Sequence, residues 1–295
     1  MPELPEVETV RRGLAPVMEG VRIMRLVQRR ADLRFPFPER FAARVEGRHV
    51  LRVGRRAKYL ICEIEGGETL VMHLGMSGRF EIRAGEVERG LPVGDFVHAA
   101  GGEAKHDHVT LQMSSGAAIT YNDARRFGFM LLIPTVELGA HALFVDIGVE
   151  PLGDQLTAAH LANRAHRRKT DLKAFLLDQR HVAGLGNIYV AEALYRARLN
   201  PKKPASVLAL RNGAPSPRAV RLVPEIKAVL EAALQAGGST LRDYRQADGE
   251  RGTFQDRFQV YGREGEACAG AGCDGAIKRI VQAGRSTFYC PKCQR

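Results

Sequence analysis

The sequence predicts an α+β multi-domain chain: a β-sandwich preceded by a helix, a mainly helical segment, and a short cysteine-bearing module. Three observations carry this. Residues 21–133 hold short runs rich in Val, Ile, Leu and aromatic residues, separated by glycine-containing turns. After Pro151 the apolar spacing switches to the helical period, and four of the five cysteines fall in the last 28 residues. At 295 residues the chain can hold two or three cores of ordinary size.

In order, Leu4, Val7, Val10, Leu14 and Val17 recur at helical spacing, with Pro5 near the start and Gly20 at the end, which predicts one amphipathic helix from about residue 5. Strands are expected at 21–29, 44–53, 57–64, 69–74, 79–83, 107–113, 117–121 and 127–133. With the helix packed on them they form an N-terminal β-sandwich domain over 1–133. A linker over 134–150 leads to a helical domain over 151–237, with helices near 155–163, 170–179, 188–197 and 219–236. Val182-Ala183-Gly184-Leu185-Gly186-Asn187 is a glycine turn feeding a helix start, and 200–218 reads as a loop. The last domain is 238–295. No repeat of solenoid period is present.

Lys and Arg number 44 against 33 Asp and Glu, a net charge of +11 that favours a polyanionic partner. No run approaches ~20 apolar residues and the start lacks a basic region followed by an apolar one, so neither a membrane span nor a secretory signal is expected. The expected location is the cytosol. Clustered cysteines there point to metal rather than disulfides. Four residues separate Cys268 from Cys273, sixteen follow, and two separate Cys290 from Cys293. Two short-spaced thiolate pairs converge on Zn2+ in the zinc-ribbon arrangement, and with all four positions filled by protein the ion is structural. Lys278, Arg279, Arg285, Lys292 and Arg295 surround it. Cys62 stands alone in an apolar run, as a buried small hydrophobe does.

The opening residues Pro2-Glu3-Leu4-Pro5-Glu6-Val7-Glu8 allow two readings. With Met1 removed, Pro2 is a secondary amine able to attack an aldehyde-like carbon while a carboxylate moves protons. Taken alone they read first as a helix start, since Pro and Glu suit the first turn of a helix. Arg164, Arg167, Arg168, Lys169 and Lys173 fit a nucleic-acid backbone or a solvated helix face. The Gly184 to Asn187 turn offers N–H groups to a phosphate oxygen. His73 to Gly78 and Asn122 to Gly128, taken alone, read as hairpin turns with Met76 and Phe127 in the core; the other reading makes these side chains wedges for a base stack.

Together these residues resemble the bacterial formamidopyrimidine-DNA glycosylases, which remove oxidised purines such as 8-oxoguanine. Pro2 to Val10, Arg56 to Leu60, His73 to Gly78, Lys105 to His108, Gly184 to Tyr189 and Arg285 to Cys290 follow the family pattern in order, so the resemblance covers essentially the whole chain. It departs at Ala124, where the family usually has Pro, and in a Gly/Ala-rich stretch around 94–104. The resemblance implies a helix-two-turn-helix fold for the helical domain and one structural Zn2+. It makes Pro2 the nucleophile, Glu3 the acid/base, Lys58 the proton donor in β-elimination and Arg285 the residue of δ-elimination, although a guanidinium hardly deprotonates and phosphate binding suits it better. His73, His106, Arg125, Arg168, Lys173 and Asn187 become DNA contacts; Met76, Arg125 and Phe127 fill the void left by the flipped base, and Gly237 to Tyr244 close over that base. The implied partner is double-stranded DNA with oxidised bases or abasic sites, bound by a nucleoid-associated monomer. Two alternatives remain: an endonuclease VIII-type enzyme for oxidised pyrimidines, against which Leu4 argues because that branch usually has Gly, and a non-catalytic zinc-ribbon DNA-binding protein.

Overall fold

A computed structural model describes residues 2–83, 104–240 and 252–295, which form two compact units. Met1–Val145 joins Ala236–Thr253 in the first, and Asp146–Gln235 joins Phe254–Arg295 in the second. The stretch 94–104, all but its last residue, and residues 241–244 of the Gly237 to Tyr244 segment lie outside the described residues, as does Met1.

In the first unit, helix α1 (Leu4–Met18) buries Leu4, Val7, Val10, Leu14 and Met18, each at most 1% exposed. Their 3-3-4-4 spacing puts them on one face, and burial of each contributes roughly 1.5–3 kcal/mol. Met18, not Val17, ends that stripe. Two antiparallel four-stranded sheets follow. One orders β1 (Ile23–Gln28), β6 (Asp107–Met113), β7 (Ala118–Asn122) and β5 (Arg79–Arg83); the other orders β2 (Val50–Arg56), β3 (Tyr59–Ile64), β4 (Glu68–His73) and β8 (Phe129–Pro134). Between the sheets lies one core containing Leu26, Leu60, Cys62, Leu70, Val109, Leu111 and Tyr121. Burial pushes the Cys62 thiol up to about 12, so it behaves as a small hydrophobe.

Two local features differ from expectation. The strand predicted over 44–53 is a helical turn, α2 (Phe41–Val45), followed by β2, because Phe41 and Val45 are four apart and bury together. Residues 134–145, expected within a linker, cover the outer face of the second sheet. Ile61, Val71 and Ile133 point away from the sandwich, and Leu138, Leu143 and Phe144 pack over them. That explains why β3 is buried on both faces instead of alternating.

The second unit holds α3 (Ala158–Ala165), α4 (Leu172–Leu177), α5 (Asn187–Arg196) and α6 (Pro217–Gln235), with α5 against α6 and α4 against α5. Thr157 caps α3 by accepting from the His160 N–H at 3.0 Å, and Asp171 caps α4 by accepting from Ala174 at 2.7 Å. The Gln179 side chain spans the connector from α4 to α5. It accepts from the Gly184 N–H at 2.8 Å and donates to the carbonyls of Leu177 and Leu185. Hairpin β9 (Lys278–Gln282) and β10 (Arg285–Tyr289) packs on α5 rather than standing alone: Val260, Ile277 and Phe288 share a core with Ala191 and Tyr195.

Glu192 on α5, fully buried, secures the entry to this hairpin by accepting the N–H groups of Gln259, Val260 and Tyr261 at 2.9 to 3.0 Å. In Glu192→Gln one of these donors would face an amide NH2. We expect a loss of about 1–3 kcal/mol in urea unfolding, read as a lower midpoint with unchanged slope.

Candidate active site and zinc centre

The start of α1 is held by two carboxylates. Glu6, 2% exposed, accepts the Glu3 N–H at 2.8 Å with one oxygen and the Ser239 N–H at 2.8 Å with the other. This fixes Pro2 and Glu3, both buried, at the helix entry. Two residues later, Glu8 binds Arg11, Arg12 and Arg55 at 2.9 to 3.2 Å. Burial would raise the Glu8 carboxyl, but these guanidinium groups outweigh it and hold it below the ordinary carboxylate range. Arg55 also donates to the Ala57 carbonyl at 2.8 Å. Ala57 and Lys58 form the tight turn between β2 and β3, with Ala57 at φ 51°. The Glu8–Arg55–Ala57 chain therefore ties α1, which follows Pro2 and Glu3, to the turn that carries the buried Lys58.

The turns after β4 and β7 are fused by Asp123, which is fully buried. One carboxylate oxygen accepts from the Ser77 hydroxyl at 2.5 Å and the Arg125 N–H at 3.3 Å; the other accepts from the Gly128 N–H at 2.8 Å and the Tyr121 hydroxyl at 3.3 Å. Its N–H donates to the His106 carbonyl, and its carbonyl accepts from His108. Contact is close enough that a Cβ on Gly128 would fall 1.8 Å from the Tyr121 oxygen, and one on Gly75 2.4 Å from the Gly128 nitrogen. Met76 and Phe127 are consequently pushed out, 36% and 45% exposed, with the Arg125 guanidinium 4.9 Å from the Phe127 ring. The hairpin-core reading of Met76 and Phe127 is thereby corrected. Arg125 is also exposed, while His106 is half-buried. Ala124 does not free the turn, because Ser77 and Asp123 both hold the Arg125 N–H.

His73 lies at the base of the same turns. Its Nδ1 accepts the Gly75 N–H at 3.0 Å, which places the ring proton on Nε2, and its ring stacks on Phe129. Burial, then the charges of Lys58 and Arg34, push it down to about 4.

In the second unit Arg285 is exposed beside a two-residue hairpin turn in which Ala283 and Gly284 both have positive φ, as a type I′ turn requires. Lys173 does not lie at the surface as expected of a backbone contact. It is fully buried, and its ammonium donates to the Ser286 carbonyl at 2.9 Å and the Thr287 hydroxyl at 2.6 Å. Asn187, first residue of α5, donates to the same Ser286 carbonyl at 3.0 Å. Both therefore brace the strand bearing Arg285. Arg168 is exposed, its Nε donating to the Arg164 carbonyl. The sequence reading missed Asp123, Gln179 and Glu192, and took Glu6 only as a carboxylate near Pro2. Of these only Asp123 and Glu6 lie inside recognisable motifs, and burial of a carboxylate leaves no local sequence mark.

The four predicted cysteine ligands come together, their sulfurs all within 4.8 Å of one another. Cys268 to Cys293 and Cys273 to Cys290 are each 3.7 Å, against an edge of about 3.8 Å for a tetrahedron of sulfurs around zinc at about 2.3 Å. Backbone N–H groups of Gly270, Gly275 and Cys293 donate to the sulfurs of Cys268, Cys273 and Cys290, which orients them. The donor set fits one structural Zn2+ with no open position.

Two measurements follow. A histidine held neutral by burial costs native stability as acid is added, because the unfolded chain then binds more protons. Stability should be full above about pH 6.5 and decline toward pH 4, where His73 itself titrates; His181, also lowered by burial, acts in the same direction. His73→Asn, which keeps an acceptor for the Gly75 N–H, should flatten this decline in urea titrations. For the metal, elemental analysis should give one zinc per chain. Cys290→Ala should lower that stoichiometry and raise amide exchange at Tyr195, whose hydroxyl lies 3.2 Å from the Cys268 sulfur.

Comparison with known proteins accounts for the whole length. Residues 1–130 match the family model "Formamidopyrimidine-DNA glycosylase N-terminal domain", 147–245 its H2TH domain, and 272–295 "Zinc finger found in FPG and IleRS". The formamidopyrimidine-DNA glycosylases of Methylorubrum extorquens and Beijerinckia indica are both 58% identical over 100% of this chain, covering 98% and 100% of those proteins. Among solved structures, MutM (Fpg) from Thermus thermophilus is 39% identical with a TM-score of 0.80, covering 99% of this chain and 98% of that one. Lactococcus lactis Fpg in complex with DNA containing an abasic site is 33% identical with a TM-score of 0.81, covering 99% of each. On a sandwich whose buried helix start carries Pro2 and Glu3, and a hairpin closed by four cysteines, this chain belongs to the formamidopyrimidine-DNA glycosylase family.

Proposed function

We propose that the chain is a DNA glycosylase of base excision repair, with associated abasic-site lyase activity, acting on oxidised purines in double-stranded DNA. The observation that carries this is the Glu8–Arg55–Ala57 chain: it links the helix entry bearing Pro2 and Glu3 to the turn bearing Lys58. An amine, a carboxyl group and an ammonium held on adjoining elements are the groups that imine chemistry needs. Support for the partner comes from the net charge of +11 and from relatives solved with abasic-site and Fapy-dG DNA.

In this mechanism Met1 has been removed and the neutral Pro2 nitrogen attacks C1′ of the damaged nucleotide. The C1′–N bond to the base breaks, the departing base takes a proton, and the ring oxygen is protonated by Glu3 as the sugar opens to an iminium. Loss of a C2′ proton expels the 3′ phosphate, Lys58 moving the proton, and a second elimination expels the 5′ phosphate; water then releases Pro2. The positive end of α1 favours the neutral amine. Glu6, with both oxygens occupied by N–H groups, serves as a strut rather than as a second proton carrier. Arg285 binds a phosphate oxygen. Met76, Arg125 and Phe127 occupy the helix void, which offsets the few kcal/mol that base flipping costs. His73, His106 and Arg168 contact the DNA backbone, whereas Lys173 and Asn187 position the strand carrying Arg285. The chain acts as a monomer at the nucleoid; no helix among the described residues is long and apolar enough to cross a membrane.

Borohydride trapping on an 8-oxoguanine duplex tests this directly. Processed wild-type protein should cross-link, Pro2→Gly should lose most of the adduct, and Glu3→Gln should slow base release by about 10²–10⁴. Intact mass showing retained Met1 alongside full lyase activity would exclude Pro2 as nucleophile. Lactococcus lactis Fpg has been solved with oxidised-pyrimidine DNA, so rates on matched purine and pyrimidine duplexes decide the substrate class.

A further inference from the structure

A short ridge beside the Asn122 to Gly128 turn plays no part in the chemistry above. The Arg34 N–H donates to the Gly128 carbonyl at 3.1 Å, fastening residues 31–37 to that turn. Leu33 and Phe37 are buried and internal hydrogen bonds run from Leu33 to Phe35 and from Phe37 to Ala31, so the segment is a built turn. It leaves Arg34 and Phe35 outside, Phe35 being 42% exposed. The Phe35 ring meets Phe129 edge-on at 5.2 Å, and Phe129 stacks on His73 at 5.2 Å with planes 14° apart. The Arg34 guanidinium lies 5.6 Å from the Phe35 centroid, repeating the Arg125 and Phe127 arrangement on the joined turn.

A guanidinium with no carboxylate partner among the described residues, over an exposed aromatic ring, presents a cation and an apolar surface side by side. A nucleic-acid strand offers the complement to both, phosphate and the flat faces of sugar and base. The neighbouring histidine sharpens the case. With Nδ1 taken by Gly75, His73 has one neutral donor to offer, so charge at a phosphate bound there must come from beside it.

We propose that Arg34 and Phe35 form a second contact with the DNA duplex next to the Arg125–Phe127 turn, Arg34 neutralising a backbone phosphate beside His73 and Phe35 packing against the same strand. This rests on the glycosylase reading of the site. The ridge adds affinity and register without touching the reacting atoms.

Binding to a duplex carrying a tetrahydrofuran abasic analogue, titrated against salt, tests it without catalysis. Arg34→Gln should make the log Kd against log salt slope shallower by about 0.9, the loss of one phosphate contact. Phe35→Ala should weaken binding at least about fivefold with the slope unchanged. Phe35→Leu, which keeps apolar cover over Phe129, should show the same loss while retaining the wild-type melting temperature. Wild-type slope in Arg34→Gln, or wild-type affinity in both Phe35 variants, overturns the assignment; so does unchanged binding accompanied by altered self-association. If the wild-type protein itself neither binds the analogue nor traps with borohydride, the glycosylase reading fails instead.

Discussion

A single buried carboxylate governs the exposed apparatus of the first unit. Asp123 accepts four hydrogen bonds from Ser77, Tyr121, Arg125 and Gly128, so both of its oxygens are satisfied away from water. The geometry this enforces is costly in apolar terms. Met76 and Phe127 would gain by turning inward, yet the space beneath is filled by Tyr121 and by backbone packed closer than any Cβ permits. Their exposure is built in by the packing, independently of any ligand.

The same device recurs at two further irregular stretches of backbone. Glu6 joins the start of α1 to residue 239, and Glu192 gathers three consecutive N–H groups ahead of the ribbon. Loops and helix ends leave N–H groups without intrahelical or sheet partners, and a buried carboxylate satisfies two or three at once with charge-assisted bonds. Each of these acids bridges segments distant in sequence, up to 233 positions apart for Glu6 and Ser239. Ordering of the site thus depends on few, concentrated contacts.

This also marks the limit of what the sequence revealed. Periodicity located α1, the β-rich half and the helical half because apolar spacing is a local property. Cysteine spacing located the zinc centre because its ligands come as two short-range pairs. The helical turn at Phe41–Val45 was concealed, since a run of mixed apolar residues suits either a strand or a short helix. Leu138, Leu143 and Phe144 were invisible as a cover because nothing local shows that β3 is buried on both faces. The turn side chains were ambiguous for a related reason: Met76 and Phe127 are apolar, and only Asp123 and Tyr121 below them decide that they face out.

Lys173 shows how charge misleads when depth is unknown. In the sequence it ends a run of cations and looks like a member of a surface stripe. Its stem instead lies on the buried face of α4, and the ammonium reaches the Ser286 carbonyl and Thr287 hydroxyl. Removing its charge would leave those acceptors buried, and the effect would reach Arg285 one residue away through the strand. An activity loss in a Lys173 variant would therefore report on the position of Arg285 as readily as on a lost phosphate contact. The two are separable by their salt dependence: a surface cation contributes to the slope of binding against salt, whereas a buried strut changes affinity or rate without contributing a phosphate to it.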